Sequence, residues 1–232
     1  MRSQPLAHPP VDQAIRERRS FRAYKDQPVP KEVVQRILDT AKHTPSSTNM
    51  QPWRVFVVMG SKKAELDQLL LKAFDERRPA APQMSAYLTE WFEPYYTRRY
   101  ECGMSLYDTL NIDKDDKAAR IAQSRKNFEA FGAPVAMFFA MDDRLKDGSL
   151  FDCGMFYQSV MLAALGEGLE TCPEASLISW PDLLREFFGV GEELRFLSGM
   201  ALGYADYQER VNQYEIPRAP VDEFTLWVDG SN

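Results

Sequence analysis

Residues Phe151 to Leu165 predict a helix that carries Met155, Phe156, Val160, Met161, Leu162, Ala163, Ala164 and Leu165 around most of its circumference. A helix that is apolar nearly all round has to be buried nearly all round. A central helix inside one domain satisfies this, and so does a helix shared across a two-fold dimer interface. The run Pro134 to Met141 makes a similar demand, since it is apolar without alternation and therefore predicts a central strand covered on both faces. Around these two elements, the spacing of Val34, Ile37, Leu38 and Ala41 predicts a helix over 31–42. Arg54 to Met59 predicts a buried strand, and Leu66, Leu69, Leu70 and Ala73 place a helix over 64–74. A short helix from Pro181 to Phe188 should stop at Gly189, with another strand from Leu194 to Leu202.

A chain of 232 residues with 44% hydrophobic residues has ample material for one core, and residues 1–232 read as a single domain. The net charge of −6 argues against a general nucleic-acid binder. No run approaches the ~18 apolar residues of a membrane span, and Met1 to Pro10 lacks the apolar core of a signal peptide. The expected location is the cytoplasm, with no membrane partner. Cys102, Cys153 and Cys172 are scattered, and His8 and His43 are the only histidines. A metal site or histidine triad would have almost nothing to work with.

Two polar clusters stand out. Thr44-Pro45-Ser46-Ser47-Thr48-Asn49-Met50-Gln51-Pro52-Trp53 lies between the first helix and the first strand, so it reads as a loop held at both ends. Its hydroxyls and amides both donate and accept, which suits a neutral polyhydroxylated ligand. Upstream, Arg16, Arg18, Arg19, Ser20 and Arg22 reverse the local sign of an acidic chain. Arginine forks match phosphate oxygens. An extended backbone would put Arg18 and Ser20 on one side and Arg19 and Phe21 on the other. Between 77 and 111 the texture changes to prolines and aromatics, including Tyr87, Trp91, Phe92, Tyr95, Tyr96, Tyr100 and Tyr107 with Arg98 and Arg99. Such an insertion either caps an apolar pocket for a flat substrate or anchors itself to the body through its rings.

The Arg18-Arg19-Ser20-Phe21-Arg22 run followed by Pro45-Ser46-Ser47-Thr48-Asn49-Met50-Gln51-Pro52-Trp53 closely resembles the paired motifs of the FMN-dependent nitroreductase family. Phe131-Gly132-Ala133-Pro134, Gly168 to Ala175 and Pro217-Arg218-Ala219-Pro220 continue the resemblance along nearly the whole chain. The long middle region is more similar to the nitrobenzoate-reductase and iodotyrosine-deiodinase-like branches. The resemblance implies an α+β fold: a central mixed sheet flanked by helices, in an intertwined homodimer with an FMN site at each end of its interface. It also implies a lid at about 77–111 and a dimer-wrapping extension at about 206–232, where Phe224 to Val228 is apolar enough to need a partner subunit.

Carried onto this chain, the family pattern implies that Arg18, Ser20 and Arg218 hold the FMN phosphate, with Arg19 along the ribityl chain or the phosphate. Pro45, Ser46, Ser47 and Asn49 would approach from the neighbouring subunit, supported by Gln51. A lysine often found two positions before the matched arginine is Ile216 here, which shifts weight onto Arg18 and Arg218. Arg22 would reach the pyrimidine edge of the flavin and stabilise the negative charge that two-electron reduction places there. Arg125 and Asn127 are candidates for the uracil-like edge. Pro173, Glu174 and Ala175 match the segment whose backbone addresses flavin N5, with Glu174 a positioner rather than a base. Substrate would meet Ser47, Thr48, Trp91, Tyr95, Tyr96 and Arg99.

No protein side chain has to be a catalytic acid or nucleophile in such a site. The implied activity is ping-pong reduction of a small nitroaromatic compound by NADH or NADPH, and no GxGxxG fingerprint supports a separate nicotinamide domain. Reductive dehalogenation, enone or flavin reduction, and non-catalytic flavin binding are the alternatives. The amino-acid clamp of the deiodinases is not evident, since Glu93 is followed four on by Thr97 and Glu101 by Ser105.

Overall fold

The computed structural model of the protein describes residues 10–84 and 88–230. The elements run α1 (Val11–Glu17), α2 (Lys31–Ala41), β1 (Trp53–Met59), α3 (Gly60–Asp75), α4 (Tyr95–Thr109), α5 (Lys117–Arg125), β2 (Val135–Asp142), α6 (Asp147–Gly166), β3 (Glu170–Glu174), α7 (Pro181–Phe188) and β4 (Leu194–Gly203). His8 and Tyr87 lie outside the described residues.

β2 organises the molecule. It pairs antiparallel with β1 on one side, Phe56 opposite Phe138, and with β4 on the other, Phe138 opposite Gly199. The sheet order is β1-β2-β4-β3. Successive side chains of a strand point to opposite faces, and here both faces are covered. Ala136, Phe138 and Ala140 join Leu66 and Leu70 of α3, Leu184 of α7 and Trp180 in one core. Val135, Met137 and Phe139 join Val34 and Ile37 of α2 and Phe156, Val160 and Ala164 of α6 in the other. That is why the sequence of β2 shows no alternation. Among the described residues the strand pairings of the sheet are all antiparallel, and a separate parallel bridge between Ser20 and Thr171 lays the arginine-rich segment against β3.

α7 starts on Pro181 and is closed by Gly189 at φ +65, a left-handed position that glycine reaches without a Cβ clash. β1 corrects the expectation of a buried strand. It forms the sheet edge and only Val58 is fully buried, because a strand with one neighbour lacks cover on its outer side. Its rings compensate by stacking, Trp53 on Phe156 at 4.4 Å and Phe56 on Phe188 at 4.5 Å.

α6 departs further from its reading. Its inner face is core, but Phe151 is 72% exposed. Leu162, Ala163 and Gly166 line an open groove of about 650 Å3 shared with Val11, Ala14, His43 and Pro45. Within one chain the helix is therefore not buried all round, since on this side α1 is too short to cover it. Trp227 of the C-terminal segment is likewise 72% exposed. No described helix is long and apolar enough to cross a membrane.

Candidate functional site

α1 ends at Arg18, whose extended backbone (φ −59, ψ 127) starts the run that pairs with β3. Phe21 is fully buried and packs edge-on to Tyr207 at 5.4 Å, and the amide of Phe21 donates to the Thr171 carbonyl at 3.1 Å. With the run pinned at Phe21, Arg18, Arg19, Ser20 and Arg22 all line one cavity of about 1030 Å3, together with Asn212, Tyr214 and Arg218. Arg19 corrects the two-sided expectation. Its guanidinium stacks over Phe21 at 5.5 Å, yet its long side chain still reaches the cavity wall, where it donates to the Asn212 carbonyl and lies 3.6 Å from Glu215.

The cavity concentrates positive charge. Among the described residues, neither Arg18 nor Arg218 has a carboxylate at ion-pair distance. Arg18 contacts Met161 Sδ at 4.0 Å, and Arg218 donates to the carbonyls of Ile216 at 2.9 Å and Pro217 at 3.3 Å. Burial, and then the nearby Arg218 cation, pull the Arg18 pKa below its ordinary value. Two adjacent guanidiniums repel unless an anion joins them, and their planar forks suit phosphate oxygens.

Arg22 is held differently. Its amide donates to Asn212 Oδ1 at 2.7 Å, its guanidinium donates to the Tyr214 hydroxyl and to the Ser20 carbonyl at 3.5 Å, and the rings of Tyr214 and Phe131 lie 5.7 and 5.9 Å away. Asn212 is buried and satisfied by donating to the carbonyls of Ala23 at 2.9 Å and Asp206 at 2.7 Å. The sequence reading missed Asn212 and Tyr214. The only local hint is an aromatic residue in an otherwise polar stretch.

Phe131 reaches this position through a left-handed turn, with φ +49 at Ala130, +53 at Phe131 and +75 at Gly132. Left-handed non-glycine residues cost on the order of 1–3 kcal/mol each and need support. Lys63 of α3 supplies it: buried against Asp67, it donates to both carboxylate oxygens at 2.6 and 2.7 Å and to the Glu129 carbonyl at 3.1 Å. Arg125 and Asn127 are not among the residues that line the basic cavity. Arg125 is committed to Asp75 at 2.8 Å and Asn127 donates to the Ser124 carbonyl at 2.8 Å, so neither is drawn into the Arg22 cluster.

Pro173 and Glu174 close β3, and Ala175 opens the 3-10 turn Ala175–Ile178. Glu174 is 3% exposed, and neither carboxyl oxygen has a hydrogen-bond partner. Burial pushes its pKa well above the ordinary carboxylate range, against the pull of Arg22 and Lys63. Behind it, a Cβ at Gly199 would lie 2.6 Å from Leu177 Cβ and 3.2 Å from the Glu174 carbonyl, so the absent side chain at 199 is what lets this segment approach β4.

The loop from Thr44 to Pro52 is rigidly built and stands apart from the basic cavity of its own chain. Thr44 Oγ1 meets Ser159 Oγ at 2.7 Å, and the Ser47 amide donates to the Asp152 carboxylate at 3.2 Å. Ser46 Oγ accepts from the Gln51 amide at 2.9 Å, and Gln51 Nε2 donates to the Asn49 carbonyl at 2.9 Å. Thr48, Asn49 and Gln51 take φ of +49, +58 and +50. None of Pro45, Ser46, Ser47, Thr48, Asn49 or Gln51 lines the cavity, and Pro45 opens instead onto the groove beside α6.

α4 buries no residue fully. Tyr95, Tyr96 and Tyr100 are about half exposed or more, so within one chain these rings do not anchor the segment. They organise each other. Phe92 meets Tyr95 edge-on at 5.1 Å, Tyr96 stacks on Tyr100 at 6.4 Å, and Arg99 lies over the half-buried Trp91 at 4.7 Å. Arg98 pairs with Glu223 of the C-terminal segment. No residue of α4 is among those that line the basic cavity, though Cys102 lies within electrostatic range of both Arg22 and Tyr214.

The profile of the family described as Nitroreductase family matches residues 15–204. A chloronitrobenzene nitroreductase of Comamonas testosteroni is 37% identical over 95% of this chain and 97% of its own length. A 4-nitrobenzoate reductase of Pseudomonas putida is 35% identical over 92% of this chain and 93% of its own. Among solved structures, the FMN and NADPH-dependent nitroreductase NfnB from sphigopyxis sp. strain HMH superposes with a TM-score of 0.91 at 34% identity, covering 95% of this chain and all of that one. Matches of this extent and identity agree with the motif order and with the cavity the fold assembles from it. The chain belongs to the nitroreductase family.

Proposed function

We propose that this protein is an FMN-dependent NAD(P)H nitroreductase that reduces small nitroaromatic compounds. The observation that carries the reading is the Arg18 and Arg218 pair without a carboxylate, in one cavity with Ser20 and Arg22. A phosphate monoester supplies the missing counter-charge, and the remaining length of cavity, out to Arg22, suits a ribityl chain and a flat ring. Over the extended run 18–22 the backbone advances roughly 13 Å at ~3.3 Å per residue, which separates the phosphate end from the ring end. FMN, when bound, supplies the redox chemistry by accepting a hydride from the reduced nicotinamide and returning it to a nitro group.

The chain's residues bind and orient. Arg18, Arg218 and Ser20 hold the phosphate, and Arg19 borders the sugar-like chain. Arg22 presents a cation to the pyrimidine edge, and the backbone of Pro173, Glu174 and Ala175 addresses the reacting nitrogen. Pro45, Ser46, Ser47, Asn49 and Gln51 complete the site of a neighbouring subunit in a homodimer, which explains a rigid polar loop that faces away from its own chain's cavity. The segment of about 77–111, which contains α4, acts as the lid, where Trp91, Tyr95, Tyr96 and Arg99 with Ser47 and Thr48 receive the flat substrate. Residues 1–232 form one such unit, with the segment beyond 206 as its dimer arm. Balance is met by ArNO2 + NAD(P)H + H+ giving ArNO, NAD(P)+ and water. A reduced nicotinamide donor also supports a cytoplasmic location.

The test is direct. Purified protein should be yellow and release FMN on denaturation. Anaerobic NADH or NADPH should bleach it, and a nitroarene such as 4-nitrobenzoate should restore the colour with loss of the nitro absorbance. Bleaching without reoxidation by any nitroarene would support flavin binding alone, and a colourless folded dimer would refute the whole reading.

A further inference from the structure

Arg22 stands out in how it is restrained. Among the described residues it has no carboxylate at ion-pair distance, and the Glu174 carboxyl nearby makes no hydrogen bond to it. The groups that hold it are neutral acceptors and ring faces. Its guanidinium meets the Tyr214 hydroxyl and the Ser20 carbonyl, with the Tyr214 and Phe131 rings at 5.7 and 5.9 Å. A carboxylate in the same place would fix the side chain and also cancel its charge. A phenol fixes it and leaves the charge for a ligand.

We infer that Tyr214 is a positioning residue: its hydroxyl and ring orient the Arg22 guanidinium toward the electron-accepting end of the bound cofactor without neutralising it. The inference rests on the FMN reading. Its geometry comes from one short segment, since Asn212 fixes the Arg22 backbone while Tyr214, two residues on, fixes the guanidinium. The same segment ends in Arg218, so the C-terminal part of the chain sets both the phosphate end and the ring end of the cavity. Loss of the Tyr214 hydroxyl releases one donor of the fork, and the arginine regains rotamer freedom it now lacks. Time spent turned away from the ligand weakens the stabilisation of the reduced cofactor more than that of the oxidised one, because negative charge accumulates only on reduction.

The test is a double-mutant cycle on the holoenzyme, read as the two-electron midpoint potential of the bound FMN. Tyr214→Phe keeps the ring and removes the hydroxyl. It should retain stoichiometric FMN and lower the potential by about 30 mV, the equivalent of a tenfold change in the reduction equilibrium. In an Arg22→Ala background the same substitution should shift nothing, because the group it positions is gone. Arg22→Lys serves as the second background should the alanine variant lose its flavin, since an ammonium has no fork to orient. An equal shift in both backgrounds would show that Tyr214 acts on the site without Arg22, and an unchanged potential at full FMN occupancy would show that it does not act at all. Either result overturns this inference alone. A wild-type protein that takes up no FMN overturns the cofactor reading and this inference with it.

Discussion

Glu174→Gln should make the protein progressively more stable than wild type as pH rises through the neutral range. Glu174 is 3% exposed, neither of its oxygens is hydrogen-bonded, and burial raises its pKa well above the ordinary value of 4.5. The folded protein thus holds a proton on Glu174 that the unfolded chain has released. With more protons bound in the native state than in the unfolded one, the slope of stability against pH is negative. The stability associated with this group is fully present below the unfolded pKa and is lost as pH rises toward the folded pKa. Each unit of that window costs wild type about 1.4 kcal/mol, so two units cost about 2.7 kcal/mol. Glutamine has nearly the same shape and does not titrate. Its own unsatisfied amide adds an offset, but that offset is independent of pH. Urea denaturation of both proteins from pH 4.5 to 8, at one fixed protein concentration, gives the difference directly, and the other titrating groups cancel in it. A difference that stays flat across this range would mean that Glu174 ionises in the fold as it does in water. The claim that burial outweighs the attraction of Arg22 would then be wrong.

Arg18→Ala and Arg218→Ala should each fold and yet bind FMN roughly 10- to 100-fold more weakly, from the loss of about 1.5–3 kcal/mol of charge-assisted hydrogen bonding; equilibrium dialysis at two salt concentrations reads the loss, and full occupancy in both variants would remove the phosphate assignment. Gly199→Ala places a Cβ 2.6 Å from Leu177 and 3.2 Å from the Glu174 carbonyl. It should cost about 1–3 kcal/mol by overpacking and lower turnover, with unchanged stability in denaturant melts counting against the close approach. Deleting the chain beyond Glu223 removes the exposed Phe224, Leu226, Trp227 and Val228 and should weaken dimerisation in sedimentation velocity; an equally tight dimer would show that the arm has no partner surface.

What the sequence revealed follows the range of the interactions involved. The stop at Gly189 was readable because it depends on one residue's φ, and β2 was readable because burial on both faces leaves a continuous apolar run. β1 has much the same apolar texture, and its edge position depends on a sheet order that no local pattern encodes. The arginines at 18, 19 and 22 were visible as a local reversal of charge. Asn212 and Tyr214 were not, since they gain meaning only when the chain returns beside Arg22. Glu174 was visible only as part of a motif, and its complete burial runs against the usual exposure of glutamate. The pairing of Arg125 with Asp75 was not legible either, because Asp75 lies on a separate helix fifty residues earlier.

The distribution of carboxylates argues for the site as strongly as the arginines do. The chain is acidic overall, at −6, and Arg36, Arg78, Arg98, Arg125 and Arg144 each find a carboxylate partner. Among the described residues Arg18, Arg22 and Arg218 do not. Of the buried acids, Glu170 lies in electrostatic range of Arg18 but accepts from the Tyr207 hydroxyl at 2.6 Å, and Glu174, in range of Arg22, makes no hydrogen bond to it and is kept by burial from ionising. Leaving three guanidiniums without carboxylate partners is unfavourable by itself, because like charges repel and the partly buried Arg18 and Arg22 are poorly solvated. A ligand that brings negative charge recovers that cost; on the FMN assignment proposed above the charge would be fixed at the Arg18 and Arg218 end and would appear on reduction at the Arg22 end. A neutralised cavity would bind the oxidised and reduced cofactor more nearly alike. On the FMN assignment proposed above, the missing carboxylates would therefore bias the flavin toward its reduced, two-electron state, which is the state a nitroreductase has to present to its second substrate.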